Sequence, residues 1–190
     1  MEWGRNRTLV LLEASYVVFL LPPWFTDVGK RLTKSPKLYF YDVGLASWLI
    51  GITQESLLQA HPLRGSLFEN LVVLEMLKAR INAGLQTNLH FYRDCSGMEV
   101  DVLLEAGNMI RLFEIKSSQT INQESFIQLN KVAAIFGERV AKKVVLYAGH
   151  EQQIRSNAEV VSYLYTGAAV TNEGVIDSSP LSMEIFPARQ

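Results

Sequence analysis

The stretch GMEVDVLLEAGNMIRLFEIKSS, residues 97–118, decides the fold of this chain. Two runs of alternating residues flank the pair Gly107-Asn108. That pair is typical of a two-residue hairpin loop, because glycine adopts positive φ at little steric cost. The pattern therefore predicts a β-hairpin in which Ala106 pairs with Met109.

This register separates apolar from charged side chains, because successive residues of a strand point to opposite faces. The face expected to form the core carries Val100, Val102, Leu104, Phe113 and Ile115. The other face carries Glu99, Asp101, Glu114 and Lys116, with Asp101 directly opposite Glu114. A three-residue loop would place Asp101 and Glu114 on opposite faces, and a bulge would also alter the arrangement.

Two carboxylates that oppose each other on a sheet repel, and a cation, a bound metal or a raised pKa usually offsets the repulsion. Asp101 and Glu114 therefore predict a site for a hard cation with oxygen ligands. Lys116 projects from the same face, where it can hold a phosphate or orient an attacking water. The alternative interpretation is a solvated strand face with an ordinary salt bridge.

Composition bounds the function. The chain has 190 residues, of which 48% are hydrophobic and 19% charged, so it is long enough for one globular domain with a small appendage. The net charge of −1 gives no general attraction to nucleic acid. One local basic group is either a solvated loop or a phosphate-contacting loop. It consists of Lys30, Arg31, Lys34 and Lys37.

Several functional classes are excluded. Cys95 is the single cysteine, so no internal disulfide forms and a reducing, cytoplasmic location is expected. The apolar residues 8–21 are too few to span a membrane and include Glu13. The three histidines lack a zinc-ligand spacing. No phosphate-binding loop or dinucleotide fingerprint is present, so no bound nucleotide is expected.

The predicted element order gives the fold class. Helix, strand, basic turn and strand in residues 1–43 look like the end of a winged helix. Residues 44–165 then form the main domain, in which a long helix, three strands, a helix and a strand predict an α/β fold with a mixed sheet. We expect residues 166–190 to be a loosely ordered tail, because periodicity fades there. The helices are expected at 6–14, 42–51, 65–81 and 122–136, and the strands outside the hairpin at 16–21, 37–41, 89–94, 143–148 and 160–165.

Glu69 has two interpretations. It lies three residues after Ser66 at the start of the long helix, which is the spacing of a capping box. In that case Glu69 folds back onto the Ser66 amide. In the other interpretation, its carboxylate joins Asp101 and Glu114.

The order helix-β-β-β-helix-β, with Asp101 on the second strand and Glu114-Ile115-Lys116 on the third, resembles the PD-(D/E)xK nuclease superfamily and its restriction-endonuclease-like core. In that pattern an Asp and an acid-x-Lys surround the scissile phosphate, and many members add an acid from the preceding helix, which Glu69 matches. Val100, directly before Asp101, departs from the pattern, which has a Pro at that position.

A closer resemblance covers about residues 5–165. The stretches LEASYVVFLLPPW, KSPKLYFYDVGLASWLIGI, GSLFENLVVLEMLK, FYRDCSGMEVDVLLE and FEIKSS look like the C-terminal part of prokaryotic AAA-type ATPases. There a winged helix precedes a domain of unknown function, DUF4143 type, with a nuclease-like fold. The resemblance implies an ATPase module that this chain lacks, so we expect the chain to be part of a longer or split protein. Arg93, Asp94 and Gln128 also match, as supporting residues around the site.

The resemblance implies Mg²⁺ or Mn²⁺ bound by Asp101, Glu114, the Ile115 carbonyl and Glu69, with Lys116 as a catalytic residue. DNA is the implied partner, and the basic group around Lys30 supplies phosphate contacts. Metal-dependent DNA hydrolysis is one function consistent with this pattern. A non-catalytic DNA- or protein-binding regulatory module of an ATPase is the second. A purely structural part that docks onto the ATPase is the third.

Overall fold

The computed structural model describes residues 7–25, 35–156 and 158–171. Short 3₁₀ turns precede the last two helices. The helices are α1 (Arg7–Ala14), α2 (Val43–Leu49), α3 (Glu55–Ala60), α4 (Arg64–Asn82), α5 (Ile127–Phe136) and α6 (Thr166–Thr171). The strands are β1 (Val18–Leu21), β2 (Lys37–Phe40), β3 (Leu89–Arg93), β4 (Glu99–Ala106), β5 (Met109–Lys116), β6 (Val140–Tyr147), β7 (Gln153–Ile154) and β8 (Glu159–Ser162).

The strands form two sheets. β1 and β2 make an antiparallel pair, and the other six strands form one sheet in the order β3-β4-β5-β6-β8-β7. β3, β4 and β5 are antiparallel neighbours, whereas β5, β6 and β8 run parallel, so the sheet is mixed. The predicted α/β class and the order from α4 through β6 are confirmed.

Helices cover both faces of the large sheet. Val73 and Met76 of α4 pack in one hydrophobic cluster with Phe113 of β5. Leu129 of α5 packs in a second cluster with Leu112 of β5. The expected single core face is therefore wrong, because the parallel connection from β5 to β6 carries α5 across the face predicted to be polar.

The predicted hairpin is confirmed. Ala106 pairs with Met109, and Val102 pairs with Phe113. Gly107 has a φ of 60°, the left-handed conformation that a tight hairpin loop requires.

β4 contains an irregularity that the pattern did not predict. Leu103 pairs with His90, whereas Val100 pairs with Tyr92, so two residues of β4 face one residue of β3. Such a β-bulge interrupts the two-residue alternation of side chains. Val102 accordingly joins the α4 cluster and Val100 the α5 cluster. The expectation that these two valines share one face is wrong for this reason.

The N-terminal segment is attached to the edge of the large sheet. Pro23 forms a parallel bridge with Phe91 of β3, and the Trp24 amide donates to the Phe91 carbonyl. The Trp24 indole donates to Glu105 Oε1 at 2.7 Å. β1 leads into this attachment and β2 pairs with β1, so β2 is held beside the main domain. The winged-helix assignment and the boundary at residue 43 stay predictions.

The expected loose tail is wrong for its first six residues. α6 packs on α4, and Arg80 of α4 donates to the Val170 carbonyl at 2.7 Å. Val170 is buried in the α4 cluster, which anchors a helix too short to show periodicity. Residues 172–190 lie outside the described part. Within that part, every helix is too short or too polar to cross a membrane.

Candidate functional site

Glu69 points from α4 toward β2. Its Oε1 accepts hydrogen bonds from the Tyr39 hydroxyl at 2.5 Å and from Lys37 Nζ at 3.0 Å. The capping-box interpretation is wrong, because α4 begins at Arg64 and the first turn already includes Ser66. The Glu69 carboxylate therefore faces Lys37 and Tyr39 of β2 and does not cap its own helix.

Lys37 places its ammonium among three carboxylates. Nζ lies 2.7 Å from Glu99 Oε1, 3.0 Å from Glu69 Oε1 and 3.9 Å from Asp101 Oδ1. Burial opposes the charged form, but the three carboxylates outweigh it and raise the pKa of Lys37. One cation from β2 thus bridges acids from α4 and β4.

Asp101 lies in the bulged segment of β4, and its Oδ2 accepts the backbone N–H of Ile115 at 2.8 Å. Burial is the largest cause that raises the pKa of Asp101, and the negative charges of Glu114 and Glu69 raise it further, to about 8. Lys37 and the Ile115 amide act in the opposite direction. The three acids predicted to act together therefore share one electrostatic environment.

Glu114 is the most deeply placed acid of the group. Its Oε1 accepts from Lys116 Nζ at 2.6 Å, whereas its buried Oε2 has no hydrogen-bond partner among the described residues. Burial raises the pKa of Glu114, and the ion pair with Lys116 opposes that rise. An uncompensated buried carboxylate oxygen is costly unless a ligand satisfies it.

The three residues predicted to support the site lie in different environments. Arg93 forms an ion pair with Glu99 at the margin of the site. Asp94 instead stabilises the β3–β4 turn by accepting the backbone amides of Ser96 and Met98. Gln128 is exposed on α5.

The predicted phosphate-contacting group is only partly described. Lys30, Arg31 and Lys34 lie outside the described residues, and Lys37 is engaged by the acids. DNA contact by these four residues stays a prediction.

Two members of the site were not predicted. The hairpin register placed Glu99 on the same face as Asp101, so a signal for Glu99 was present in the sequence. Nothing in the sequence links Tyr39 of β2 to Glu69, which is 30 residues away along the chain. Only the packing of β2 against α4 brings these two side chains together.

The oxygen atoms of this group suit a divalent cation in chemical type. Asp101 and Glu114 have the oxygen ligands that Mg²⁺ and Mn²⁺ prefer, and the unpartnered Glu114 Oε2 suits such an ion. Across residues 7–25, 35–156 and 158–171, no group of three His, Cys, Asp or Glu side chains is arranged to hold a metal. Lys37 engages Glu69, the expected third ligand. The residues present therefore fit a cation in chemical type, with two of the three acids available.

A cleft of about 520 Å³ opens beside the acids. Its charged wall contains Glu69, Glu99, Lys37 and Arg93, and its apolar wall comes from α2 and the start of α4. A ligand in this cleft would contact the outer side of the acidic group.

Comparison with known proteins gives matches to two families of unknown function. Residues 64–166 match the family described as "Domain of unknown function (DUF4143)", and residues 6–56 match "Domain of unknown function (DUF8612)". The uncharacterized proteins Mb2031c of Mycobacterium bovis and Rv2008c of Mycobacterium tuberculosis are each 32% identical over 147 residues. The matched region is 77% of this chain and 32% of each relative, so the chain spans about a third of their length. Since the first match covers more than half of the chain, from α4 through the start of α6, the chain belongs to the DUF4143 family.

Proposed function

We propose that this domain is a metal-dependent, nuclease-like module that acts on DNA phosphodiesters as the C-terminal part of an AAA-type ATPase. The observation that carries the proposal is the Asp101, Glu114 and Lys116 group, in which a buried carboxylate oxygen of Glu114 lacks a partner within the part of the chain that the structure describes. A purely structural salt bridge between Lys116 and Glu114 would not require Glu114 Oε2 to be buried without a partner. A ligand that supplies positive charge would satisfy it.

The roles of the residues follow from their contacts. Asp101 and Glu114 would hold the metal, which when bound polarises a phosphate and lowers the pKa of a water. Lys116, already 2.6 Å from Glu114, would place positive charge beside the phosphate and stabilise the charge that develops on it. The Ile115 amide fixes the orientation of the Asp101 carboxylate through its 2.8 Å hydrogen bond.

A specific observation favours a second function. Lys37 already supplies a cation to Glu69, Glu99 and Asp101. These ion pairs would stabilise the acidic group in a protein that binds no metal and catalyses no reaction. Under this alternative, the domain binds DNA or a protein and regulates the ATPase. The cleft beside the acids would then serve as the binding surface.

The test is a cleavage assay with supercoiled, linear and single-stranded DNA, in Mg²⁺, in Mn²⁺ and in chelator. We expect slow cleavage that requires metal and falls about 10²-fold or more in Lys116→Ala, since loss of one group that stabilises transition-state charge typically has that effect. Lys78→Ala is the control, because Lys78 is exposed on α4 and pairs only locally with Glu75.

Equal traces for the wild type in metal and in chelator, repeated with the ATPase part of the full-length protein, would contradict hydrolysis and favour the regulatory module. Cleavage that persists in Lys116→Ala would indicate a contaminating nuclease.

A further inference from the structure

The cation inside the acidic group comes from a different part of the chain than the acids. Lys37 lies on β2, within the region that matches the DUF8612 family, whereas Glu69, Glu99 and Asp101 lie in the DUF4143 region. A lysine of the DUF8612 region therefore supplies positive charge to acids of the DUF4143 region.

Lys37 is held in this position by several contacts. Its ammonium makes close ion pairs to Glu69 and Glu99, and it lies 5.4 Å from the centre of the Phe91 ring. Its side chain is 22% exposed, so the charge is largely withdrawn from solvent. Tyr39, two residues along the same strand, donates to the same Glu69 oxygen. Lys37 and Tyr39 of β2 thus both donate hydrogen bonds to the Glu69 carboxylate.

β2 is held by α4 as well as by the N-terminal segment, because the buried Asn70 side chain bonds to the backbone N–H and carbonyl of Phe40 at 2.8 Å each. Lys37 pairs with Leu21, the last residue of β1, and the chain then forms its bridge to the sheet at Pro23. A change of side-chain rotamer would move the Lys37 ammonium away from the acids while β2 stays in place. Three partly buried carboxylates would then lose their shared cation.

We propose that Lys37 is an internal cation that closes the acidic site, so that a divalent cation held by Asp101 and Glu114 engages Glu69 only when the Lys37 ammonium moves away. The inference rests on the proposed function for the identity of the site, and it adds the regulation of that site. Lys37 excludes the metal from Glu69, because an ammonium and a divalent cation repel each other and cannot share the space between the same oxygens.

The test measures Mn²⁺ binding to the whole chain by calorimetry, without DNA. We expect Lys37→Met to bind Mn²⁺ at least tenfold more tightly than the wild type. Lys142→Met is the matched control, because Lys142 forms a partly buried ion pair with Glu159 on the large sheet and should leave binding unchanged. In Lys37→Met/Asp101→Asn the gain should disappear.

Equal or weaker Mn²⁺ binding by Lys37→Met would overturn the proposal. If this variant does not fold without metal, amine labelling of the wild type followed by mass spectrometry decides. Labelling of Lys37 should be slow in chelator and several-fold faster in saturating Mn²⁺, and a rate independent of metal would contradict the inference. Tighter Mn²⁺ binding without DNA cleavage would support the internal cation and contradict hydrolysis, so the two proposals fail separately.

Discussion

Asp101 shows how the fold can bury a carboxyl group among other acids. The bulge of β4 brings its carboxyl close to other acids, and burial withdraws it from water. These effects raise its pKa to about 8, which is typical of functional sites rather than of solvated strand faces. The hydrogen bond from the Ile115 amide acts in the opposite direction, because it stabilises the charged carboxylate.

The first prediction at this scale concerns pH. Folding raises the pKa of Asp101 from 3.8 to about 8, so the folded state retains a proton that the unfolded state releases. The contribution of Asp101 to stability is therefore fully present below pH 3.8 and is lost as the pH rises to about 8. Asp101→Asn, which has no carboxyl to ionise, should gain stability relative to the wild type by about 1 kcal/mol or more between pH 4 and pH 9, since one pKa unit corresponds to roughly that free energy.

The measurement is urea unfolding at several pH values in chelator. Asp94→Asn serves as the control, because hydrogen bonding from Ser96 lowers the pKa of Asp94. Asp94 therefore contributes stability that is present above its ordinary pKa of 3.8 and lost as the pH falls through the lower folded value. A wild type that gains stability over Asp101→Asn with rising pH would show that the Asp101 carboxyl is not buried as described.

At the scale of elements, α4 organises the domain. One side of it packs on the large sheet, another carries α6, and its first turns present Glu69 to β2. Apolar residues over much of its circumference predicted a buried helix, and the predicted range 65–81 agrees with the observed Arg64–Asn82. The β4–β5 hairpin was predictable for the same reason, since its loop and its alternation are local signals. The bulge was not, because it depends on how β3 pairs with β4.

The element-scale prediction compares two aliphatic residues of α4. Leu74 is 3% exposed in the core, whereas Ile81 is 55% exposed. Leu74→Ala should lower the free energy of unfolding by about 2–5 kcal/mol, because it leaves a cavity in a close-packed region. Ile81→Ala should change it by about 0.5 kcal/mol or less. Denaturant titration followed by circular dichroism gives both values, and similar losses would indicate that α4 is not packed as described.

At the scale of the whole molecule, the N-terminal segment and the main domain form one connected structure. Trp24 is one of the contacts that join them, because its indole bonds to Glu105 and its ring packs edge-on against Phe136 at 4.8 Å. The guanidinium of Arg139 lies 5.6 Å from the same ring. This attachment positions β2 and hence Lys37 at the acidic site.

The whole-molecule prediction tests that attachment. Trp24 is 7% exposed and Trp48 is 66% exposed. Trp24→Ala should cost about 3–5 kcal/mol of stability, whereas Trp48→Ala should be close to neutral. Hydrogen exchange adds a second measurement: in Trp24→Ala the amides of β2 should exchange faster, and in Trp48→Ala they should not. Unchanged exchange in Trp24→Ala would mean that β2 is held independently of the sheet edge.

The sequence by itself determined the local features: the hairpin loop and register, the buried long helix, the α/β order, and the placement of Asp101, Glu114 and Lys116 on neighbouring strands. These follow from turn chemistry and side-chain periodicity, which act over a few residues. Only the tertiary structure decided that both sheet faces are buried, that a bulge divides Val100 from Val102, and that Lys37 and Tyr39 engage Glu69. Those contacts join residues that are about 30 positions apart or belong to different elements, so they depend on how the helices and strands pack rather than on any local pattern.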